Sequence, residues 1–313
     1  MGHRASGIDS VQTMADIGQK GSGMTDGVIY SAGWTLDDID WSRFEPAKVD
    51  AGLLAAVKAA SLVEYNAPDY VAYLKRVYQG APESTIRSIE HWGEEEIQHG
   101  LALARWAEIA DPSFDFNRAF ARFRTQYRPP HFDGAYVSVR GSKRGEMIAR
   151  CVVESGTSSF YSAIRDATSE PVLKEVAGRI AADEFRHYRL FYDILQGDTE
   201  PDLPRWRKLW VAVTRVRESD DDELACAYYC ANVPPERERE APYKRRTYAR
   251  AYHATAMPLY RRHHIDKLVK MVVKPTGFDP AGRLSGFAGA ALWRLLTARS
   301  AMIGGAKTGA PLR

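Results

Sequence analysis

Two short stretches of this 313-residue chain repeat one arrangement of glutamate and histidine. WGEEEIQHG places Glu96 three residues before His99, and ADEFRHY places Glu184 three residues before His187. Residues three apart lie on one face of an α-helix, so each pair can direct a carboxylate and an imidazole at one point. A single E-x-x-H pair is weak evidence for a metal site, because such pairs also occur by chance. Two copies of the pair in one chain favour a metal site more strongly.

Each pair follows a further glutamate, about one helical hairpin earlier in the chain. Glu64 lies in the mostly apolar stretch SLVEYNA, and Glu154 lies in ARCVVESGTSSF. The spacing from Glu64 to Glu96 is 32 residues and from Glu154 to Glu184 is 30, which matches one helix, a turn and the return along the next. The apolar neighbours favour buried glutamates over exposed ones or ordinary ion pairs.

Two hairpins of this kind supply four glutamates and two histidines, the inward-facing ligand set of the di-iron carboxylate bundles. Buried carboxylates are costly without partners, and two divalent cations would cancel four negative charges. Mixed oxygen and nitrogen ligands suit iron or manganese better than a thiolate-binding metal. The sequence therefore predicts two iron ions, with manganese possible, held by Glu64, Glu96, His99, Glu154, Glu184 and His187.

The acids beside these ligands have two possible roles. Glu95 and Asp183 each stand four residues before a histidine. They could accept a hydrogen bond from the ring nitrogen that faces away from the metal and so orient the imidazole, or they could be solvated neighbours. Glu94 is predicted to lie at the surface.

Two other residues near the predicted ligands have a physical interpretation. Thr157 lies one turn after Glu154, so its hydroxyl can reach the same region, or it can bond to its own helix backbone. Pro68 lacks the N–H group that would bond the carbonyl of Glu64, so the first helix is expected to bend beside that glutamate.

The segments that must position these residues show helical periodicity and no strand alternation. We predict an all-α fold in which residues 24–313 form one helical domain. Its core, at about 49–195, is predicted to be a ferritin-like four-helix di-iron bundle, and residues 196–313 are predicted to form appended helices. Residues 1–23, rich in Gly and Ser, are expected to be a flexible arm or a tag. The predicted helices span about 49–79, 83–110, 143–168, 171–195, 203–232, 241–273 and 279–302.

Composition excludes several classes of protein. The net charge of +3 is well below that of a typical nucleic-acid-binding domain, and the stretch Leu284–Trp293 is too short to span a membrane. The three cysteines, Cys151, Cys226 and Cys230, cannot form a four-cysteine iron site. Their sparse, odd number fits a reducing cytoplasm. We therefore expect a cytoplasmic protein with no nucleic-acid partner and no transmembrane segment.

Four stretches, taken in order, resemble the soluble acyl-acyl-carrier-protein desaturases of the ferritin-like superfamily. The resemblance covers about residues 49–195, and no clear match follows Leu195. The stretches are VEYNAPDY at 63–70, WGEEEIQHG at 92–100, ESGT at 154–157 and GRIAADEFRHY at 178–188.

The resemblance implies that the six predicted ligands hold two irons and that Thr157 is a catalytic residue beside the oxygen-binding face. It also implies an O2-dependent oxidoreductase that desaturates an acyl chain, carried as an acyl-carrier-protein or CoA thioester. A ferredoxin-type electron donor and a homodimer are expected with it. The basic pairs Arg245–Arg246 and Arg261–Arg262 could dock an acidic carrier protein or ferredoxin, or could be solvated helix faces.

The unmatched C-terminal third leaves other outcomes open. A di-iron oxygenase, either a hydroxylase or an N-oxygenase acting on another small substrate, would use the same ligands. A ferritin-like iron oxidase is a further alternative. His253, His263 and His264, in this C-terminal third, are expected to be surface or structural residues.

Overall fold

The computed structural model describes residues 33–129, 134, 136–218 and 222–307, with side chains as far as residue 301. The described residues form helices, turns and loops and contain no strand. The all-α prediction is confirmed. The arm predicted at residues 1–23 lies outside the described residues.

Eleven α-helices follow one another in the described part of the chain. They are α1 (Ala51–Tyr65), α2 (Ala67–Val77), α3 (Glu83–Ala110), α4 (Phe116–Gln126), α5 (Lys143–Ala167), α6 (Pro171–Gly197), α7 (Arg205–Arg217), α8 (Asp222–Asn232), α9 (Arg245–Ala256), α10 (Arg262–Val273) and α11 (Arg283–Lys307).

The long C-terminal helices predicted from periodicity are interrupted. The predicted helix over 203–232 is two helices, α7 and α8. The predicted helix over 241–273 is α9 and α10, separated by a 3-10 turn at Met257–Leu259. Pro258 lies in that turn, and a proline cannot donate the backbone hydrogen bond that a continuous helix requires.

The first predicted helix, at 49–79, is also two helices. α1 ends at Tyr65, and α2 begins at Ala67 with Pro68 in its first turn. The N–H of Asn66 bonds to the carbonyl of Val63 at 3.1 Å, and Pro68 has no N–H to donate to the carbonyl of Glu64. The expected bend is therefore a break in the helix at Asn66, two residues after Glu64.

The helices that carry the predicted ligands pack in two pairs. α1 lies along α3, α5 lies along α6, and α3 contacts α6 between the pairs. Local signals fix where these helices begin. The Ser142 side chain accepts a hydrogen bond from the N–H of Gly145, and the Glu170 carboxylate accepts from the N–H groups of Val172 and Leu173. These are side-chain caps of the helix N-terminus.

The predicted ligands lie in a layer between two apolar clusters. In α3, α5 and α6, the residues on one side of the glutamate along the helix belong to the first cluster, and those on the other side belong to the second. α1 contributes to the first cluster, and α2, which follows it, contributes to the second. Members of the first include Leu62, Leu103, Trp106, Ile164 and Ile180. Members of the second include Leu74, Ile89, Met147, Ile148 and Phe191. The two clusters shield the polar layer from water along the bundle axis.

The remaining described segments pack around this bundle. α8 packs on α1, while α7 and α10 pack on α5 and α11 packs on α10. Before α1, residues 33–48 run across α6, where Arg43 pairs with Glu175 at 3.1 Å. None of the described helices has the length and apolar content that a membrane span requires.

We expect Gly100→Ala to destabilise the protein, because α1 and α3 approach closely at this glycine. A Cβ at residue 100 would lie 2.7 Å from the Tyr65 nitrogen and 3.0 Å from the Ser61 carbonyl oxygen. Overpacking of this kind costs about 1–3 kcal/mol. Urea unfolding of the metal-free protein measures the loss.

The matched control is Gly178→Ala in α6, where the added Cβ would meet Arg165 side-chain carbons no closer than 3.4 Å. This change should leave stability equal or higher, because alanine is the better helix former. Equal effects of the two substitutions would contradict the close approach at Gly100.

Candidate metal centre

The six predicted ligands converge in the buried layer of the bundle. One group, which we call subsite A, contains Glu64, Glu96, His99 and Glu184. The other, subsite B, contains Glu96, Glu154, Glu184 and His187. Within each group one ligand atom per residue lies within 4.8 Å of all the others. Glu96 and Glu184 belong to both subsites, so these adjoining clusters could hold metal ions that share two carboxylates.

The imidazoles present their Nδ1 atoms to these carboxylates. His99 and His187 are fully buried, with 0% and 1% of their surface exposed, and Nδ1 of each ring has no well-aligned hydrogen bond, although His187 Nδ1 lies 2.9 Å from Glu96 Oε1. His99 Nδ1 lies 3.3 Å from Glu184 Oε1, which also has no well-aligned hydrogen bond. Buried polar atoms are normally satisfied. These nitrogens and this oxygen therefore fit a cation-binding role, and the mixed O and N donor set fits iron or manganese.

The electrostatics of the layer show how protons balance its charge when no cation does. Burial and the neighbouring carboxylates raise the pKa of Glu64 and Glu154 well above the ordinary glutamate value. Burial would lower the pKa of His99 and His187, but their hydrogen bonds to carboxylates outweigh it and raise both pKa values well above the usual range. Protons are thus held on groups that must lose them to bind a metal.

The other two glutamates behave in the opposite way. Burial favours the neutral form of Glu96 and Glu184, but close contacts with the surrounding groups, including both imidazole rings, keep the pKa of each below its ordinary value. Two ionised carboxylates and two imidazolium rings give a neutral layer. Two divalent cations with four ionised glutamates and two neutral imidazoles would give the same balance.

Both predicted outer acids contact an imidazole, but not the one four residues later on the same helix. The spacing left two roles open for Glu95 and Asp183, a hydrogen bond to a histidine, with one four residues later on the same helix, or a solvated position. In the structure, His187 Nε2 donates to Glu95 Oε2 at 2.8 Å, and His99 Nε2 donates to Asp183 Oδ2 at 3.0 Å. The partner lies on the other helix because each ring crosses the layer and its outer nitrogen reaches the facing helix. Glu94 is exposed, as predicted.

Two residues that the sequence pattern did not reveal support the outer acids. Arg186 contacts both, at 2.5 Å to Asp183 Oδ1 and 3.5 Å to Glu95 Oε1. Trp34 Nε1 donates to Asp183 Oδ2 at 2.8 Å, and the indole stacks on His99 with ring centroids 6.2 Å apart. Arg186 adjoins His187 in sequence and could have been suspected. Nothing in the non-periodic segment around Trp34 pointed to the site.

Thr157 makes the contact that its spacing allowed. Its hydroxyl lies 2.5 Å from Glu184 Oε2 and 3.3 Å from the carbonyls of Val153 and Glu154. A hydroxyl has one proton to donate, and the shortest of these contacts is the one to the carboxylate. The structure therefore places Thr157 against a glutamate shared by both subsites.

Tyr161 is a third residue that the sequence pattern did not reveal. It lies on α5 two turns after Glu154, and its phenol O–H donates to Glu64 Oε1. The spacing of seven residues places Tyr161 on the same helix face as Glu154. This spacing is the sequence feature that could have indicated a position near the predicted ligands.

A cleft of about 900 Å³ approaches the centre between α3 and α6. Its lining includes Glu95, Arg186 and His187. It therefore meets His187 on the side where Nε2 bonds Glu95, whereas Nδ1 faces the carboxylate layer. The cleft gives access to the outer hydrogen-bond partners of subsite B.

A third group of potential ligands, Asp166, His263 and His264, has an ordinary explanation. His264 Nδ1 accepts the backbone N–H of Arg261 at 3.0 Å, so the ring proton lies on Nε2, which donates to Asp166 Oδ2 at 3.0 Å. A protonated nitrogen has no lone pair for a cation. His264 is thus structural and His263 is exposed, as expected; His253 belongs to none of the three groups.

Comparison with known proteins assigns no family. The chain matches no protein-family model, and a search of the curated proteins returned no significant match. The resemblance to the acyl-acyl-carrier-protein desaturases therefore stays a prediction from sequence. The geometry of the buried layer carries the functional assignment.

Substituting either outer acid should weaken cation binding. We expect Glu95→Gln and Asp183→Asn each to reduce the affinity for Mn²⁺ about 10- to 100-fold, the usual effect of losing an outer partner of a metal-bound histidine. Calorimetric titration of the metal-free protein measures this. Glu94→Gln, at the exposed neighbouring position, is the control. A comparable loss in the control would contradict the specific role.

Cation binding should release protons and strengthen as the pH rises. Glu64 and Glu154 would each lose a carboxyl proton, and His99 and His187 would each lose an imidazolium proton. We therefore expect release of about four protons per pair of cations near neutral pH. Titrations in buffers of different ionisation enthalpy measure the number. Binding heats that are independent of the buffer would contradict this charge balance.

Proposed function

We propose that the protein is an O2-dependent oxidoreductase that holds two iron ions in a ferritin-like four-helix bundle. We further propose that it desaturates an acyl chain carried as an acyl-carrier-protein or CoA thioester. The observation that carries the proposal is the buried layer of four glutamates and two histidines whose Nδ1 atoms have no well-aligned hydrogen bond. The four desaturase-like stretches, which contain these same residues, support the choice of reaction.

The residues present fit iron. Glu64, Glu96, His99 and Glu184 would hold one ion, and Glu96, Glu154, Glu184 and His187 would hold the second. When bound, a pair of iron ions supplies the redox chemistry with O2 that side chains cannot perform. Manganese would be accepted by the same oxygen and nitrogen donors.

The chain's own contribution is position, charge and exclusion of water. The two apolar clusters on either side of the layer keep it dry, which strengthens electrostatic interactions inside it. Glu95 and Asp183 fix the ring orientation of the two histidines. The Thr157 hydroxyl oxygen lies 2.5 Å from Glu184 Oε2 and donates its proton to it, and we propose that it can pass that proton into the centre.

The partners stay proposals of the same kind. A ferredoxin-type donor would supply electrons, and a carrier protein would present the acyl chain. The four predicted docking arginines, Arg245, Arg246, Arg261 and Arg262, are exposed, and Arg262 pairs with Asp266 at 2.8 Å. We propose that an acidic partner would contact this basic surface. The homodimer stays a prediction.

The test is turnover with a broad panel of acyl chains. Iron-loaded protein is supplied with acyl-carrier-protein and CoA thioesters, ferredoxin, reductant and ¹⁸O₂, and the chains are analysed by mass spectrometry. We expect an unsaturated product without ¹⁸O, and at least a 100-fold lower rate for Thr157→Val if the hydroxyl takes part in the chemistry, since general acid–base groups contribute about 10²–10⁴-fold.

The other outcomes separate the alternatives. A product that contains ¹⁸O would identify an oxygenase and contradict desaturation. Iron oxidation without any change in the organic substrate would favour the iron-oxidase alternative. Glu184→Gln, which removes the charge of a carboxylate shared by both subsites, should abolish each of these activities, and its retention of turnover would contradict the site itself.

A further inference from the structure

Tyr161 contributes a hydroxyl group to the buried layer without belonging to either subsite. It lies on α5, is 1% exposed, and donates its O–H to Glu64 Oε1. Its ring packs beside Phe160, with centroids 5.4 Å apart. The contact joins the second ligand-bearing pair of helices to the first, across the buried layer.

Glu64 is the candidate ligand that lies nearest to a helix end. It is the second-last residue of α1, and the break at Asn66 separates it from α2. The other five lie well inside the long helices α3, α5 and α6. No full helical turn of α1 follows Glu64, so the side-chain contact from α5 adds to what holds its carboxylate in place.

We propose that Tyr161 is a positioning residue for subsite A, an inference that rests on the proposed two-metal function. Its hydrogen bond fixes the Glu64 carboxylate and occupies one oxygen, which leaves the other oxygen for a cation. Glu64 belongs to subsite A and not to subsite B. Tyr161 therefore acts on one of the two cation-binding steps, and the two subsites are not equivalent.

A substitution that removes only the hydroxyl of Tyr161 separates the positioning role from a packing role of its ring. Tyr161→Phe keeps the aromatic ring and its contact with Phe160 while removing the O–H that donates to Glu64. An outer hydrogen-bond partner of a metal ligand typically accounts for about 10- to 100-fold in affinity. Because Glu64 does not contribute to subsite B, the step in which a cation binds subsite B should keep its affinity.

The test is a titration of the metal-free protein with Co²⁺, followed by calorimetry and by visible absorption. For Y161F we expect one of the two binding steps to weaken about 10- to 100-fold and the absorption bands of that step to shift. Glu64→Gln identifies the step, because it removes a ligand charge from subsite A alone. Tyr73→Phe is the control, since Tyr73 is also 1% exposed and donates its O–H to the buried carboxylate of Glu146, which belongs to neither subsite, and should change neither step.

Several results would overturn the inference. Equal weakening of both steps, an effect confined to the step that E64Q leaves unchanged, or unaltered binding in Y161F would each do so. Loss of the helical circular dichroism signal in Y161F would show that the hydroxyl supports the fold instead of the subsite. A wild-type protein that binds fewer than two Co²⁺ would contradict the proposed two-metal function itself, which is a different failure.

Discussion

The structure depends on one constraint: four carboxylates and two imidazoles share a buried layer that must be electrically neutral. Isolated charges are very costly away from water, and Glu154 and Glu184 are exposed by no more than 2%. The pKa directions within the cluster are opposed, raised for Glu64, Glu154 and both rings and lowered for Glu96 and Glu184, which favours an arrangement of protons that balances the charge. Two divalent cations would meet the same requirement with all four carboxylates ionised.

The outer hydrogen bonds tie this layer to the architecture. Because His187 bonds Glu95 on α3 and His99 bonds Asp183 on α6, each imidazole links both ligand-bearing pairs of helices. Arg186 then joins the two outer acids. Any shift of α3 against α6 would disturb both rings together. The helix pairing and the ring orientations are therefore one structural unit, and the apolar clusters on either side hold it in register.

The two halves of the centre nevertheless differ. Glu154 lies in the middle of an unbroken helix, whereas Glu64 is the second-last residue of its helix and accepts a hydrogen bond from Tyr161 of another. On the outer side, His187 adjoins a cleft, and His99 is covered by Trp34. The internal repeat of the sequence thus supplies equivalent ligands in settings of different stiffness and access. Such asymmetry would let one cation bind more firmly than the other.

The sequence by itself determined the helical class, the four ligand-bearing helices and the six converging residues, because helical spacing fixes which side chains share a face. It also indicated the bend beside Glu64, since Pro68 lacks a backbone N–H whatever the tertiary structure around it. The tertiary structure alone decided which acid meets which histidine, and it recruited Trp34, Arg186 and Tyr161. Those contacts join residues from different helices or from the N-terminal segment. The spacing of residues within one helix carries no information about the distance between side chains on two separate helices.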